Sequence, residues 1–367
     1  VTQHPADASR AGAFAERMCG ILNGGALSLL LSIGHRLGLF DVMAGLPAAS
    51  PETIAREAGL EVSYVGTWLA ALAAGGVVEL DAEAGTYRLP PEGAALLTRG
   101  GERWSPAVCA QWIPMLGAAE ERLLACFERG GGMPCEEIPR WHAVVAEQSE
   151  PCVPGELLGA LAPRVPGLEK DLCAGIDVLD VGCGRGAVLR RLAREYPHSR
   201  FRGIDVSPAA IAAARAGAPS QVRFALCDAA DLRETQTCNL VTAFRSLSAM
   251  GRPEAVLASL LRALRPGGLL VVQEVAVQGD PARDRRHPLA PFAYAMACLS
   301  ALPAVRASDD AQPRTSAPLG PAAPDVGPLW GQAHLRSALL RAGFVGVETL
   351  AAPDDPAHVY HLARRPA

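Results

Sequence analysis

"VLDVGCGRGAVLRRL", residues 178–192, passes from an apolar run through three glycines into a segment with helical apolar spacing. A strand–turn–helix of this kind lets backbone amides approach an adenosine-bearing cofactor, because glycine turns tightly and carries no side chain to hold the ligand off. Gly182, Gly184 and the small Ala187, with Asp205 about 20 residues on, fit the dinucleotide fingerprint. The glycines alone leave the cofactor open. A tight turn without any ligand would be spelled the same way.

Outward from this turn, strands and helices alternate, as in a parallel sheet covered on both faces. The first strand is "IDVLDVG" and its helix "AVLRRLAREY"; "RFRGIDV" follows, then "SPAAIAAARAGA" with Ser207 as cap and Pro208 at the first helical position. "VRFALCD", "NLVTAF" and "GLLVVQEV" complete five strands, the last entered from the helix "PEAVLASLLRALRPGG". Helix "AHLRSALLRAGF" then leads to two successive strands, "VGVETLA" and "AHVYHLAR". Two strands in a row predict an antiparallel hairpin closing a seven-stranded sheet, an ending unlike that of a dehydrogenase.

The N-terminal part reads differently. Residues 1–12 are expected to fray, and Phe14–Phe40 reads as one or two helices with a candidate break at Gly24–Gly25. In "SPETIAREAGL", Ser50 caps a helix that starts at Pro51 and stops at Gly59. "VSYVGTWLAALAAGGVVEL" gives a second helix and a strand, and "AGTYRLP" a return strand after Gly85, so that a winged helix–turn–helix results. Between Pro51 and Gly100 it carries Arg56, Arg88 and Arg99 against Glu52, Glu57, Glu61, Glu79, Asp81, Glu83 and Glu92. The would-be recognition helix, Ser63–Ala74, has no Arg or Lys. Affinity for nucleic acid rests on neutralising phosphates, so this module argues against DNA binding and for assembly. Domain boundaries are placed at 14–100 (winged helix and dimerisation), 101–170 (helical linker, with His142 a structural or pocket ring) and 171–367.

The 367 residues suffice for two cores, and half of them are hydrophobic. A net charge of −4 provides no field to draw the chain to nucleic acid or anionic lipid. Ten cysteines stand singly, with no metal-ligand spacing, which points to reduced thiols in the cytoplasm; Cys183 reads as a small filler. The apolar run Ile21–Ile33 is shorter than a membrane span and reads as a buried or dimer-forming helix, so a homodimer without a membrane partner is expected.

Three carboxylates choose the cofactor. Asp205 ends the second strand, where a ribose diol would lie, and Asp228 ends the third, where it can accept from an adenine amino group. Asp180 immediately precedes the glycine turn. A negative charge there repels a pyrophosphate and favours S-adenosylmethionine (SAM), which carries an ammonium and a sulfonium. As an alternative, Asp180 is a turn-stabilising acid.

"VLDVGCGRG", "GIDVS", "CDAADL", "NLVTAF" and "LRPGGLLVV" in this order resemble the motifs of class I SAM-dependent methyltransferases. "ILNGGALSLLLSIGHRLGLFDVM" and "PRWHAVVAEQS" narrow the resemblance to bacterial-type small-molecule methyltransferases with an N-terminal winged-helix domain. The resemblance covers roughly residues 14–300 and 328–366. It implies an α/β, Rossmann-like class I methyltransferase sheet plus a mostly helical winged-helix domain. By position it implies that Gly182 and Gly184 line the methionyl end, Asp205 with Val206 the ribose, Asp228 with Ala229 the adenine, and Phe244 or Arg245 the sulfonium and acceptor. Two departures stand out. The group commonly carries a His-Asp pair after strand four, where this chain has "FRSLSAM", and the segment after strand five is Pro- and Ala-rich.

Methyl transfer from a sulfonium needs an oriented acceptor, exclusion of water and, for a protonated nucleophile, a base. His287, His334 and Glu274 are candidate bases, His287 foremost. Arg245, next to a cationic sulfonium, requires a partner such as Asp228, Glu274 or an anionic acceptor. Residues 279–330 are expected to form a lid: an apolar helical portion over residues 287–302, a loose Pro-rich portion after Arg306, and Trp330 closing the far side. The expected function is methyl transfer to a small molecule. Its alternatives are a SAM-binding pseudo-methyltransferase, an NAD-dependent oxidoreductase and a DNA-binding regulator.

Overall fold

The computed structural model describes residues 5–99, 104–149, 161, 164–250, 252–311, 330–352 and 355–367. The chain divides into two compact units, Val1–Gly117 and Ala118–Ala367.

In the first unit, helix α1 (Pro5–Leu37) is followed by α2 (Leu39–Ala44), α3 (Pro51–Ala58) and α4 (Val62–Ala74), then by strands β1 (Glu79–Asp81) and β2 (Thr86–Arg88). Ser50 caps α3 by accepting from the Thr53 amide, as its sequence foretells. Leu69 and Leu72, with Phe40 and Ile54, form the buried centre of the winged module. The expected break at Gly24–Gly25 does not occur, because α1 is continuous; interior glycines weaken a helix by only about 1 kcal/mol each. The chain breaks instead at Gly38, whose φ of 73° lies in the left-handed region that glycine adopts without strain. The C-terminal half of α1 is seated by Gly34, where a β-carbon would lie 2.5 Å from the Trp68 ring, and by the Trp68 indole, which donates to the Leu30 carbonyl. Its other face is bare: Phe14, Ile21, Leu22, Leu29 and Ile33 are all exposed within this chain. The apolar run Ile21–Ile33 lies within a longer helix. Arg10–Leu37 and Ala290–Ala307 are both long and apolar enough, by length and composition alone, to cross a bilayer.

The second unit is built on a seven-stranded sheet in the order β5-β4-β3-β6-β7-β9-β8. Its strands are β3 (Asp177–Val181), β4 (Arg200–Asp205), β5 (Val222–Leu226), β6 (Cys238–Phe244), β7 (Leu264–Val275), β8 (Val345–Ala352) and β9 (Asp355–Arg364). β3 to β7 are parallel; β9 runs antiparallel to β7 and to β8, which is the closing hairpin expected from the sequence. Alternate residues feed two cores. Val178, Leu240 and Val271 pack with Leu189 and Leu192 on one face, whereas Leu179, Val241 and Val272 meet Leu257, Leu260 and Leu339 on the other. Each of these fully buried side chains contributes about 1.5–3 kcal/mol. The helices within 118–149, read as a linker, belong to this unit.

After β7 the chain leaves the sheet and returns to the place it left. A β-carbon on Gly331 would collide with the Gln278 carbonyl, and the Gln332 amide donates to Val277. Asp284 holds the departure point: its buried carboxylate accepts from the amides of Gln278 and Gly279 at 2.8 and 3.0 Å and from the Tyr294 hydroxyl at 2.9 Å. The excursion is more regular than expected, being helical over Pro281–Asp284 and almost continuously over Ala290–Ala311. The Pro-rich portion of the expected lid, residues 312–329, lies outside the described residues. Trp330 is buried in the sheet core, edge-on to His334 with ring centroids 4.9 Å apart. Replacing Asp284 by Ala removes three hydrogen bonds to a charged acceptor, each worth about 1.5–3 kcal/mol. The variant is expected to be cleaved faster by a dilute protease within 280–311, while the β-sheet signal in circular dichroism persists.

Candidate active site

The order β5-β4-β3-β6-β7 reverses direction between β3 and β6, and open α/β sheets bind ligands at the carboxyl end of such a switch point. The candidate cofactor-binding residues from the sequence lie on the loops and strand ends there. Gly182, Gly184 and Gly186 all have positive φ, at 72°, 53° and 74°. Gly182 and Gly186 are also sterically fixed, since β-carbons on them would meet Ser246 at 2.4 Å and the Phe224 ring at 2.3 Å. The amides of Gly182 and Cys183 both donate to the Ile204 carbonyl, tying the turn to β4. Cys183 packs over Gly203, the filler role expected of it.

Asp205 organises the turn with both oxygens. Its Oδ2 accepts from the Gly184 amide at 2.9 Å and its Oδ1 from the Ser207 amide at 2.8 Å. Each oxygen retains a second lone pair, which suits a hydroxyl donor. Val206 beside it is exposed.

Asp180 is buried on β3 and accepts from the Thr242 hydroxyl at 2.7 Å, across the register pair that joins β3 to β6. Burial pushes its carboxyl up to about 7, with the nearby Asp205 charge adding to the rise and the Thr242 bond opposing it. The site is therefore poised to gain from a cation.

Asp228 and Ala229 lie at the end of β5. Asp228 accepts from the Ala230 amide and pairs with Arg252 at 2.8 Å, and Arg252 reaches Asp231 at 2.8 Å as well. Asp228, one of the carboxylates named as a candidate partner of Arg245, is thus held by Arg252. Ala229 is buried, and Phe244 is half-buried against the sheet core.

The segment after β6, "FRSLSAM", is bound on both flanks. Ser246 donates to the Val181 carbonyl at 2.8 Å, and Ser248 gives Glu274 its amide at 3.0 Å and its hydroxyl at 2.9 Å. Glu274 is buried and raised to about 7 by desolvation, despite those bonds and the Arg245 charge. Arg245 has a φ of 53°, and its amide donates to the Gln273 carbonyl at 2.7 Å. Its guanidinium charge acts on Glu274, Asp355 and His358 together. His287 stands apart, in the turn between helices Pro281–Asp284 and Ala290–Met296, where its Nδ1 accepts from the Leu289 amide at 3.2 Å. His334 is lowered by burial. Thr242, Ser246, Ser248, Arg252 and the pair Asp355–His358 are absent from the sequence expectations; the first four gain meaning through contacts with residues more than twenty positions away, and the pair through the place of β9 beside β7.

Residues 25–99 match the Rv2258c-like winged HTH domain, and residues 178–268 match a methyltransferase domain. Among relatives, the chain is 38% identical over 96 residues to trans-aconitate 2-methyltransferase of Acidovorax sp. (strain JS42), covering 26% of this chain and 37% of that protein. It is 33% identical over 144 residues to the enzyme of the same name from Methylobacterium nodulans, covering 38% and 54%. The chain thus spans about a third to a half of the length of these relatives. Among solved structures, human N-acetylserotonin methyltransferase in complex with SAM superposes with a TM-score of 0.62 at 17% identity, covering 96% of this chain and 98% of that one. Mitomycin 7-O-methyltransferase gives 0.63 at 16% identity, covering 98% and 99%. The chain thus carries a segment matching a winged-helix domain and a segment matching a methyltransferase domain, and it shares the fold of these solved structures.

Proposed function

We propose that this protein is a SAM-dependent methyltransferase acting on a small acceptor. The buried Asp180 beneath the glycine turn carries the reading. It favours a ligand with positive charge and no phosphate at that end. In this reading Gly182 and Gly184 face the methionyl portion, Asp205 and Val206 take the ribose, Asp228 and Ala229 flank the adenine, and Phe244 borders the sulfonium. SAM, when bound, supplies an activated methyl group; the protein orients the acceptor and excludes water. Arg245 serves the acceptor end, where its charge is balanced by Glu274 and Asp355. His287 is the more remote candidate, reaching the site only if its helical excursion folds over it. Named relatives that act on trans-aconitate, and structural neighbours named as O-methyltransferases, make oxygen the favoured acceptor atom.

The same reading includes a homodimer in the cytoplasm. The bare apolar face of α1 offers a surface that a second copy could cover, and the nine described cysteines are all free thiols, suited to a reducing compartment. The winged module would then assemble the protein, with α4 too poor in cations to hold DNA.

Calorimetry is expected to give binding of S-adenosylhomocysteine and none of NAD; the reverse result would overturn the proposal. The affinity should fall by up to about tenfold per pH unit below 7, as Asp180 takes up a proton and ceases to attract the ligand's ammonium. The stability effect has the opposite sense. A carboxyl raised by folding is penalised when ionised, so its unfavourable contribution grows from the ordinary carboxylate range up through about 7. Asp180→Asn should therefore raise Tm at pH 8, by about 2–4 °C for each kcal/mol relieved, while abolishing S-adenosylhomocysteine binding. Unchanged binding in this variant would remove Asp180 from the site. For the dimer, Leu22→Asp in the middle of the bare face of α1 should give monomers by light scattering with the helical signal retained.

A further inference from the structure

We propose that His358, held by Asp355, is the proton acceptor for a hydroxyl group presented to the methyl donor, so that the closing strand β9 contributes to the chemistry. This inference rests on the function proposed above and names its acceptor class as hydroxyl compounds.

β9 runs antiparallel to β7, so it starts where β7 ends, at the carboxyl edge of the sheet. Its first residue, Asp355, is fully buried; one oxygen accepts from the Ala357 amide at 2.8 Å and the other meets His358 Nδ1 at 2.6 Å. His358 is opposite Val275, the last residue of β7, and the Ala276 amide donates to Ala357 just beyond. The pair therefore lies at the level of the strand ends that carry Arg245 and Glu274. The Arg245 charge acts on both members, and also on Glu274, which the register pairs with Val359.

The bond to Asp355 settles the tautomer. With Asp355 ionised, Nδ1 carries the proton, and the Nε2 lone pair is left to accept one. Desolvation lowers His358 and Arg245 lowers it further, against the pull of Asp355, which favours the neutral ring that a proton acceptor needs. Asp355 is held low by His358 and Arg245 in spite of burial. In the proposed step the acceptor hydroxyl gives its proton to Nε2 while its oxygen forms a bond to the methyl carbon. The carbon–sulfur bond breaks with its electron pair on sulfur, leaving neutral S-adenosylhomocysteine. The imidazolium beside Asp355 then returns its proton to water. An acceptor that is already anionic has no need of this pair.

The test uses the full chain with SAM and four simple acceptors: catechol, benzoate, aniline and thiophenol. Catechol is expected to be the best of the four. His358→Gln should lower kcat for catechol by about 100-fold at pH 7, the usual scale for a general base, and part of the loss should return at pH 9, where catechol ionises unaided. Asp355→Asn keeps size and shape but no longer enforces the tautomer, and should reproduce the defect with unchanged affinity for S-adenosylhomocysteine. Histidine nitrogen NMR supplies a readout without turnover: S-adenosylhomocysteine plus catechol should move the His358 Nε2 resonance, assigned by its loss in His358→Gln. The inference is overturned if the variants match wild type on catechol, if benzoate alone is methylated, if none of the four is methylated, or if Nε2 does not respond. Calorimetric binding of S-adenosylhomocysteine separates these failures from failure of the function on which the inference rests.

Discussion

The second unit turns on a single hydrogen bond at its switch point, from the Thr242 hydroxyl to the Asp180 carboxylate. A carboxylate in an apolar interior is costly, and one donor does not repay its desolvation. The excess appears as a carboxyl raised to about 7. The glycine turn above it is over-determined by neighbours: Ser246 on one side, Phe224 on the other, and Asp205 holding the Gly184 amide. Packing keeps the loop in a left-handed backbone that favours only glycine, and this rigidity keeps Asp180 beneath it. A carboxylate buried in this way stays unfavourable when ionised unless a cation lies beside it.

The same logic extends along the carboxyl edge. Glu274 is a second buried carboxylate raised to about 7, and Ser248 gives it two donors. Because Ser246 is bonded to β3 and Ser248 to β7, the turn after β6 links the glycine turn to the strand from which the helical excursion departs. Asp284 then fixes the first residues of that excursion, and Gly331 brings its far end back to the same point.

Much of this was legible in the sequence. The period-two apolar runs from Asp177 to Val275 and the hairpin at 345–364 predicted the strands, because alternation and turn residues are local properties. The cap at Ser50 and the start at Pro51 were legible for the same reason. Local signals misled where a neighbour intervened. Gly24 and Gly25 suggested a break that α1 does not make, and Gly38 broke it instead. The helix expected over residues 287–302 forms, with Ala290, Ala293 and Ala297 buried alongside Val277, but it runs on to Ala311, past Arg306 where a loose segment was expected.

The sequence by itself determined the alternating βα pattern, the glycine turn and the acidic strand ends, since each is written within a few consecutive residues. Only the tertiary structure decided which charges meet. Asp228 and Arg252 are 24 residues apart, and Ser248 and Glu274 are 26. Arg245 acts on residues more than a hundred positions away because β9 folds back beside β7. A carboxylate's partner depends on strand order and register, and neither is encoded in the spacing of residues along a single strand. Asp355 and His358 look like ordinary members of a last strand until its antiparallel pairing brings them to the carboxyl edge of the sheet.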